Sequence, residues 1–96
     1  MGDVDGIVEI NGNALMLEWK THQGLPTGQK IMYERLSRGG QVTVFIIHGN
    51  AETMQCRSYG IYYRGKFSGM REATLESIKD RMRKWNNYAE NNPWKY

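Results

Sequence analysis

With 96 residues and a single cysteine, Cys56, the chain has room for one small domain, residues 1–96, and for neither an intramolecular disulfide nor a cysteine-rich zinc site. Its formal charge of +3 and pI of about 9.1 suit a polyanionic partner without demanding one. No apolar run reaches membrane-spanning length and no basic-then-apolar leader is present, so the expectation is a cytoplasmic protein with no membrane partner.

The stretch from Asp3 to Lys20 is built around Asn11-Gly12, which separates two runs that alternate apolar with polar residues. That dipeptide accepts the left-handed backbone of a two-residue type I′ turn, so the spacing predicts a β-hairpin. The turn then sets the pairing: Ile10 faces Asn13, Val8 faces Leu15 and Asp5 faces Glu18. Because side chains alternate along a strand, Asp3, Asp5, Glu18 and Lys20 leave one face. Val4, Val8, Ile10, Leu15, Leu17 and Trp19 leave the other, the expected core face. Like charges directly opposite one another destabilise a ladder by up to about 1 kcal/mol. Asp5 and Glu18 therefore need a compensating cation, and carboxylates about 5 Å apart suit a hard divalent ion such as Mg²⁺. Asp3 competes with Asp5 for that role, and the register favours Asp5.

Residues 21–28 read as a loop, with Gly24, Pro26 and Gly28, and His22 within it is a candidate phosphate contact beside the site. Thr27 to Arg38 follows a helical pattern, with Thr27 as N-cap and Gly39-Gly40 as the stop. Gln29, Met32, Tyr33 and Leu36 share a face; Met32 and Leu36 are expected in the core. Gln29 is the polar exception in the first turn, either meeting solvent at the sheet edge or reaching Lys20 or a substrate phosphate. Lys30 beside it is a further candidate for the nucleic-acid backbone.

Residues 41–48, nearly continuous in apolar and β-branched side chains, predict a strand covered on both faces. Strand, helix, strand is a crossover that sets this strand parallel to the second strand of the hairpin and puts the latter inside the sheet. A turn at 49–52 leads to a fourth strand from Thr53 to Phe67, interrupted by Gly60 and Gly65. There Tyr59, Tyr62 and Tyr63 mix with Arg57, Arg64 and Lys66, a mixture able to stack on bases and meet phosphates. A last helix from Glu72 to Glu90 carries the apolar seam Leu75, Ile78, Met82 and Trp85. Its other face bears Lys79, Arg81, Arg83 and Lys84; Lys79 and Arg83 are the candidate phosphate contacts, placed near the acidic site by expectation.

An Asp at the start of one strand followed on the next by Glu18-Trp19-Lys20, with Thr27-Gly28-Gln29 opening the helix beyond, resembles the PD-(D/E)xK nuclease superfamily. The resemblance spans roughly residues 3–48 and is to its small VRR-NUC branch, common in phage and prophage proteins. It implies a restriction-endonuclease-like α/β domain in which Asp5, Glu18 and the Trp19 carbonyl hold Mg²⁺ or Mn²⁺. It also implies that Lys20 orients or activates the attacking water, that Gln29 helps hold the site, and that a phage-encoded protein would act in the host cytoplasm. Small members of the superfamily include junction-resolving dimers, which implies a homodimer here. Two departures stand: no Pro precedes the Asp, and a third carboxylate from an upstream helix is not expected.

The expectation is therefore a mixed sheet of about four strands, with an N-terminal hairpin and a β-α-β crossover, flanked by helices. Its function would be metal-dependent hydrolysis of DNA phosphodiesters, on branched or junction substrates. The alternative is a non-catalytic nucleic-acid-binding or assembly module in which Asp5, Glu18 and Lys20 form a structural charge cluster.

Overall fold

The computed structural model describes residues 5–20, 27–50 and 52–95. Asn11 and Gly12 take φ of 53° and 86°, the two left-handed positions that a type I′ turn requires. They close strand β1 (Gly6–Ile10) onto β2 (Asn13–Lys20) with Ile10 opposite Asn13, Val8 opposite Leu15 and Gly6 opposite Leu17. This is the expected register.

Helix α1 (Thr27–Ser37) precedes β3 (Val42–Asn50), which lies parallel to β2 from Ala14–Val42 to Lys20–His48. Thr27 is the first helical residue and not the cap, so the cap position falls outside the described residues. Thr43 to His48 are all buried, as expected for a strand sandwiched between two layers. Each large apolar side chain buried there contributes about 1.5–3 kcal/mol from removal of its surface from water. That anchors β2 beside it.

The expected fourth strand is in fact a hairpin. Strand β4 (Gln55–Tyr63) runs antiparallel to β3 and stops at Arg64-Gly65, whose φ values of 50° and 79° turn the chain into β5 (Lys66–Phe67). Arg71–Glu72 then pair back onto β4 as β6 and do not begin a helix. The last helix, α2 (Leu75–Asn91), starts later than expected because Thr74 supplies the cap. Its hydroxyl accepts from the Ser77 N–H at 3.2 Å, and Ser77 returns the contact to the Thr74 N–H at 3.0 Å.

Among the described residues the sheet runs β1-β2-β3-β4-β5, with β6 also on β4, and the fold is mixed α/β. Leu15 and Phe45 pack with Trp85 and Ala89 of α2. Val44, Ile46 and Tyr62 pack with Tyr33 of α1. Since consecutive strand residues alternate faces, the helices cover opposite sides of the sheet. The α2 seam is as expected and gains Ala89. Two core expectations fail: Val8 is 37 % exposed on the edge strand β1, and Leu36 is 42 % exposed because α1 turns Tyr33 and Ser37 inward instead. No helix among the described residues is long and apolar enough to cross a membrane.

Candidate functional site

Strand β2 lies between β1 and β3, and its even-numbered residues face α1. Glu18 is on that face and only 1 % exposed. At Glu18 the expected polar face is therefore not solvated, because α1 roofs it, whereas Asp5 is exposed and Lys20 half-buried. Burying a carboxylate costs several kcal/mol unless charge and hydrogen bonds compensate it.

Asp5 sits one residue before β1, at the level of Glu18 once Gly6 is paired with Leu17. Its N–H donates to the Leu17 carbonyl at 3.1 Å, and its carboxylate accepts the Trp19 N–H at 2.7 Å. In an extended strand a residue's N–H and C=O point the same way. The Trp19 carbonyl therefore leaves β2 on the side where Asp5 stands. The carboxylates of Asp5 and Glu18 and this carbonyl form an oxygen-only donor set on adjoining positions. Among the described residues no three His, Cys, Asp or Glu side chains converge to hold a metal ion. A cation here would rest on the pair, the main-chain carbonyl and water, a set of the kind Mg²⁺ takes. Asp3 and His22 lie outside the described residues.

Lys20, two residues beyond Glu18, shares its face and stands in register with His48 on β3. Gln29, Tyr33 and Ser37 follow one another at four-residue spacing along α1, which stacks them on one side of a helix. Ser37 donates to the Tyr33 carbonyl at 2.8 Å and accepts from the Gly65 N–H at 3.2 Å, tying the far end of this line to the β4–β5 turn. Tyr33 is 0 % exposed. Burial, then the negative charge of Glu18, then Tyr62 and Asp5, push its hydroxyl up to a pKa of about 12. That ordering places Tyr33 within the field of both carboxylates. Gln29 Oε1, the Tyr33 hydroxyl and His48 Nδ1 are buried with no hydrogen-bond partner. Such atoms are rare in folded proteins and mark places where water, an ion or a ligand completes the structure.

Glu18, Lys20, Asp5 and Gln29 are thus drawn to one end of the α1 face. Tyr33 stands in the field of the two carboxylates and His48 pairs with Lys20, and neither is among the residues nominated from the sequence. The signals were present: Tyr33 is four residues from Gln29, and His48 ends an otherwise apolar strand.

The expected basic residues are dispersed. Lys30 is exposed on α1. Lys79 and Arg83 are on α2, across the sheet from Glu18, and pair with Glu76 at 3.9 Å and Asp80 at 3.8 Å. They do not stand near the acidic site, because α2 packs on the odd-numbered face of β2. Nor do the tyrosines of β4 form a free stacking surface. Tyr62 is buried against Phe67 with ring centroids 4.5 Å apart. The Tyr63 hydroxyl is engaged by Arg64 at 3.0 Å and Tyr88 at 3.3 Å.

No family model, no curated protein and no solved structure matches this chain. The functional reading rests on its own residues.

Proposed function

We propose that the chain is a metal-dependent DNA endonuclease of the PD-(D/E)xK type, a VRR-NUC-like domain with a restriction-endonuclease-like fold. The observation that carries this reading is the Glu18 carboxylate, buried to 1 % exposure on an inner strand, with Lys20 on the same face and Asp5 on the Trp19 N–H. Exposed Asp5 and buried Glu18 stand beside the Trp19 carbonyl on adjoining strands, an oxygen set of the kind Mg²⁺ takes.

Asp5, Glu18 and the Trp19 carbonyl would hold Mg²⁺ or Mn²⁺. Bound there, the cation would neutralise charge on the phosphoryl oxygens and lower the pKa of a coordinated water. Lys20 contributes a fixed positive charge where negative charge grows on the phosphoryl group. Gln29 offers an amide at the first turn of α1, its Oε1 buried with no hydrogen-bond partner, and would help hold the site. The apolar side chains of Val44 and Ile46 under α1 keep bulk water from the inner side of Glu18, which strengthens the interactions made there. The enzyme works as a homodimer, since cutting two strands of a duplex or a junction takes two symmetry-related sites.

The test is incubation with supercoiled plasmid and branched oligonucleotides in Mg²⁺, Mn²⁺ or EDTA, beside the near-isosteric variant Glu18→Gln. Metal-dependent cutting that falls at least about a hundredfold in the variant is expected, by analogy with loss of one electrostatic stabiliser. Equal cutting by the variant sinks the assignment. No cutting by either, with no calorimetric metal binding, favours the non-catalytic module.

A further inference from the structure

A cleft of about 600 Å³ opens where β3, β4 and β6 end against the start of α2, lined by His48, Arg57, Ser58, Glu72, Ala73 and Thr74. It is separate from the carboxylate pair but touches the same end of the sheet. Lys20 pairs with His48, His48 with Ser58, and Ser58 with Glu72. Cross-strand partners share a face, so these residues form a row running perpendicular to the strands, at about 4.8 Å per strand. The row leads from the proposed catalytic lysine straight into the cleft.

The chemistry of the lining suits an anion. Arg57 brings a guanidinium, Ser58 a hydroxyl, and the positive end of the 17-residue helix α2 lies at Thr74. His48 is the independent sign that something binds there. It is 7 % exposed, lines the cleft, and its Nδ1 has no hydrogen-bond partner. With its proton on Nδ1 the imidazole donates to a phosphate oxygen. A divalent cation is the poorer occupant, because Arg57 would oppose it. Glu72, exposed on β6, stands at the end of the row, so the anion sits on the His48 and Ser58 side.

We infer that this cleft holds the backbone phosphate next to the one that is cut, so the nucleic-acid strand crosses the sheet along the row Lys20, His48, Ser58. The inference rests on the nuclease reading for its second phosphate; the cleft itself is an anion site by its own residues. It also gives the enzyme a binding surface that the bases of α2, on the other face, do not supply.

The experiment is binding of a fluorescent duplex oligonucleotide in EDTA, where no cutting occurs, across a series of KCl concentrations. Arg57 is exposed, so Arg57→Gln keeps the fold. Its expected effect is a severalfold loss of affinity at low salt and a fall of about 1 in the slope of log K against log salt. His48→Gln is expected to weaken binding severalfold, because it removes the ring N–H donor. Lys95→Gln is the control: the Trp94 N–H donates to the Asn11 carbonyl at 2.9 Å, which holds that tail at the opposite end of the sheet. An Arg57→Gln protein with wild-type affinity and slope, or a wild type that does not bind, overturns the cleft. The plasmid assay separates the two ideas. Cutting with an unchanged Arg57→Gln slope leaves the nuclease and removes the cleft; a reduced slope without any cutting keeps the phosphate site and removes the nuclease.

Discussion

Tyr33 concentrates the physics of the site in one side chain. Its ring belongs to the core with Val44, Ile46 and Tyr62, while its hydroxyl is buried without a partner under the field of Glu18 and Asp5. Tyr33→Ala is expected to cost about 3–5 kcal/mol in urea unfolding, as for other buried aromatic residues. Tyr33→Phe keeps the ring and removes only the orphan hydroxyl, so stability at neutral pH should hold or rise by about 1 kcal/mol. A large loss in Tyr33→Phe would mean that the hydroxyl makes a bond that supports the fold. The same pair gives a pH test. The folded protein holds the Tyr33 proton more tightly than the unfolded chain, with a pKa of about 12 against an ordinary 10. The resulting stabilisation is complete below pH 10 and is lost as pH rises through 12. Wild type should therefore lose stability faster than Tyr33→Phe across that interval, and parallel profiles would refute the assignment.

At the scale of elements, the β4–β5 hairpin closes the α1 face through a contact that a side chain at Gly60 would block. A Cβ at Gly60 would lie 2.5 Å from the Phe67 ring and 3.0 Å from the Gly69 carbonyl. Phe67 lies across this gap and stacks on Tyr62, which in turn meets Tyr33 with ring centroids 5.5 Å apart. Gly60→Ala is expected to destabilise by about 1–3 kcal/mol through overpacking, read as a lower urea midpoint at an unchanged m-value. A midpoint equal to wild type would show that Phe67 moves freely. The glycine was visible in the sequence as an interruption, but whether it marked a bulge, a turn or a close approach depended on Phe67 folding back. Gly65, read likewise as an interruption within one strand, is the turn into β5. Helix α1 was placed correctly, and its expected face of Gln29, Met32, Tyr33 and Leu36 failed only at the last turn. Tyr33 is buried and Met32 packs against its cluster, whereas Leu36 turns outward and Ser37 takes the inward place. A periodicity rule weights apolar residues and so overlooks a helix whose sheet-facing line is largely polar.

For the whole molecule, the donor set predicts that a divalent cation stabilises the fold. A ligand at a hundredfold over its Kd adds about 2.7 kcal/mol, so the melting temperature should climb with millimolar Mn²⁺ or Mg²⁺ in wild type and stay flat in Glu18→Gln. Equal responses in the two proteins would place the ion elsewhere. A homodimer should be seen as twice the 11.2 kDa chain mass by light scattering, and a monomer at working concentrations would remove the paired-site part of the proposal. Residues 5–20 and 27–48 were read closely from the chain alone because their signals are local. Asn11-Gly12 dictates its own turn, the turn dictates the register, and alternation then assigns Glu18 and Lys20 to one face. The parallel pairing of β2 with β3 followed from a connection too long for a hairpin and a strand too apolar for an edge. What no local rule could decide was which helix lies over which face. That is set by the tertiary packing of Trp85 against Phe45 and of Tyr33 against Val44. This packing buries Glu18 under α1 and carries Lys79 and Arg83 away to the far side. A charge's surroundings are made by residues distant in the chain, so sequence could nominate the acids and the lysine, and only the folded sheet could choose their neighbours.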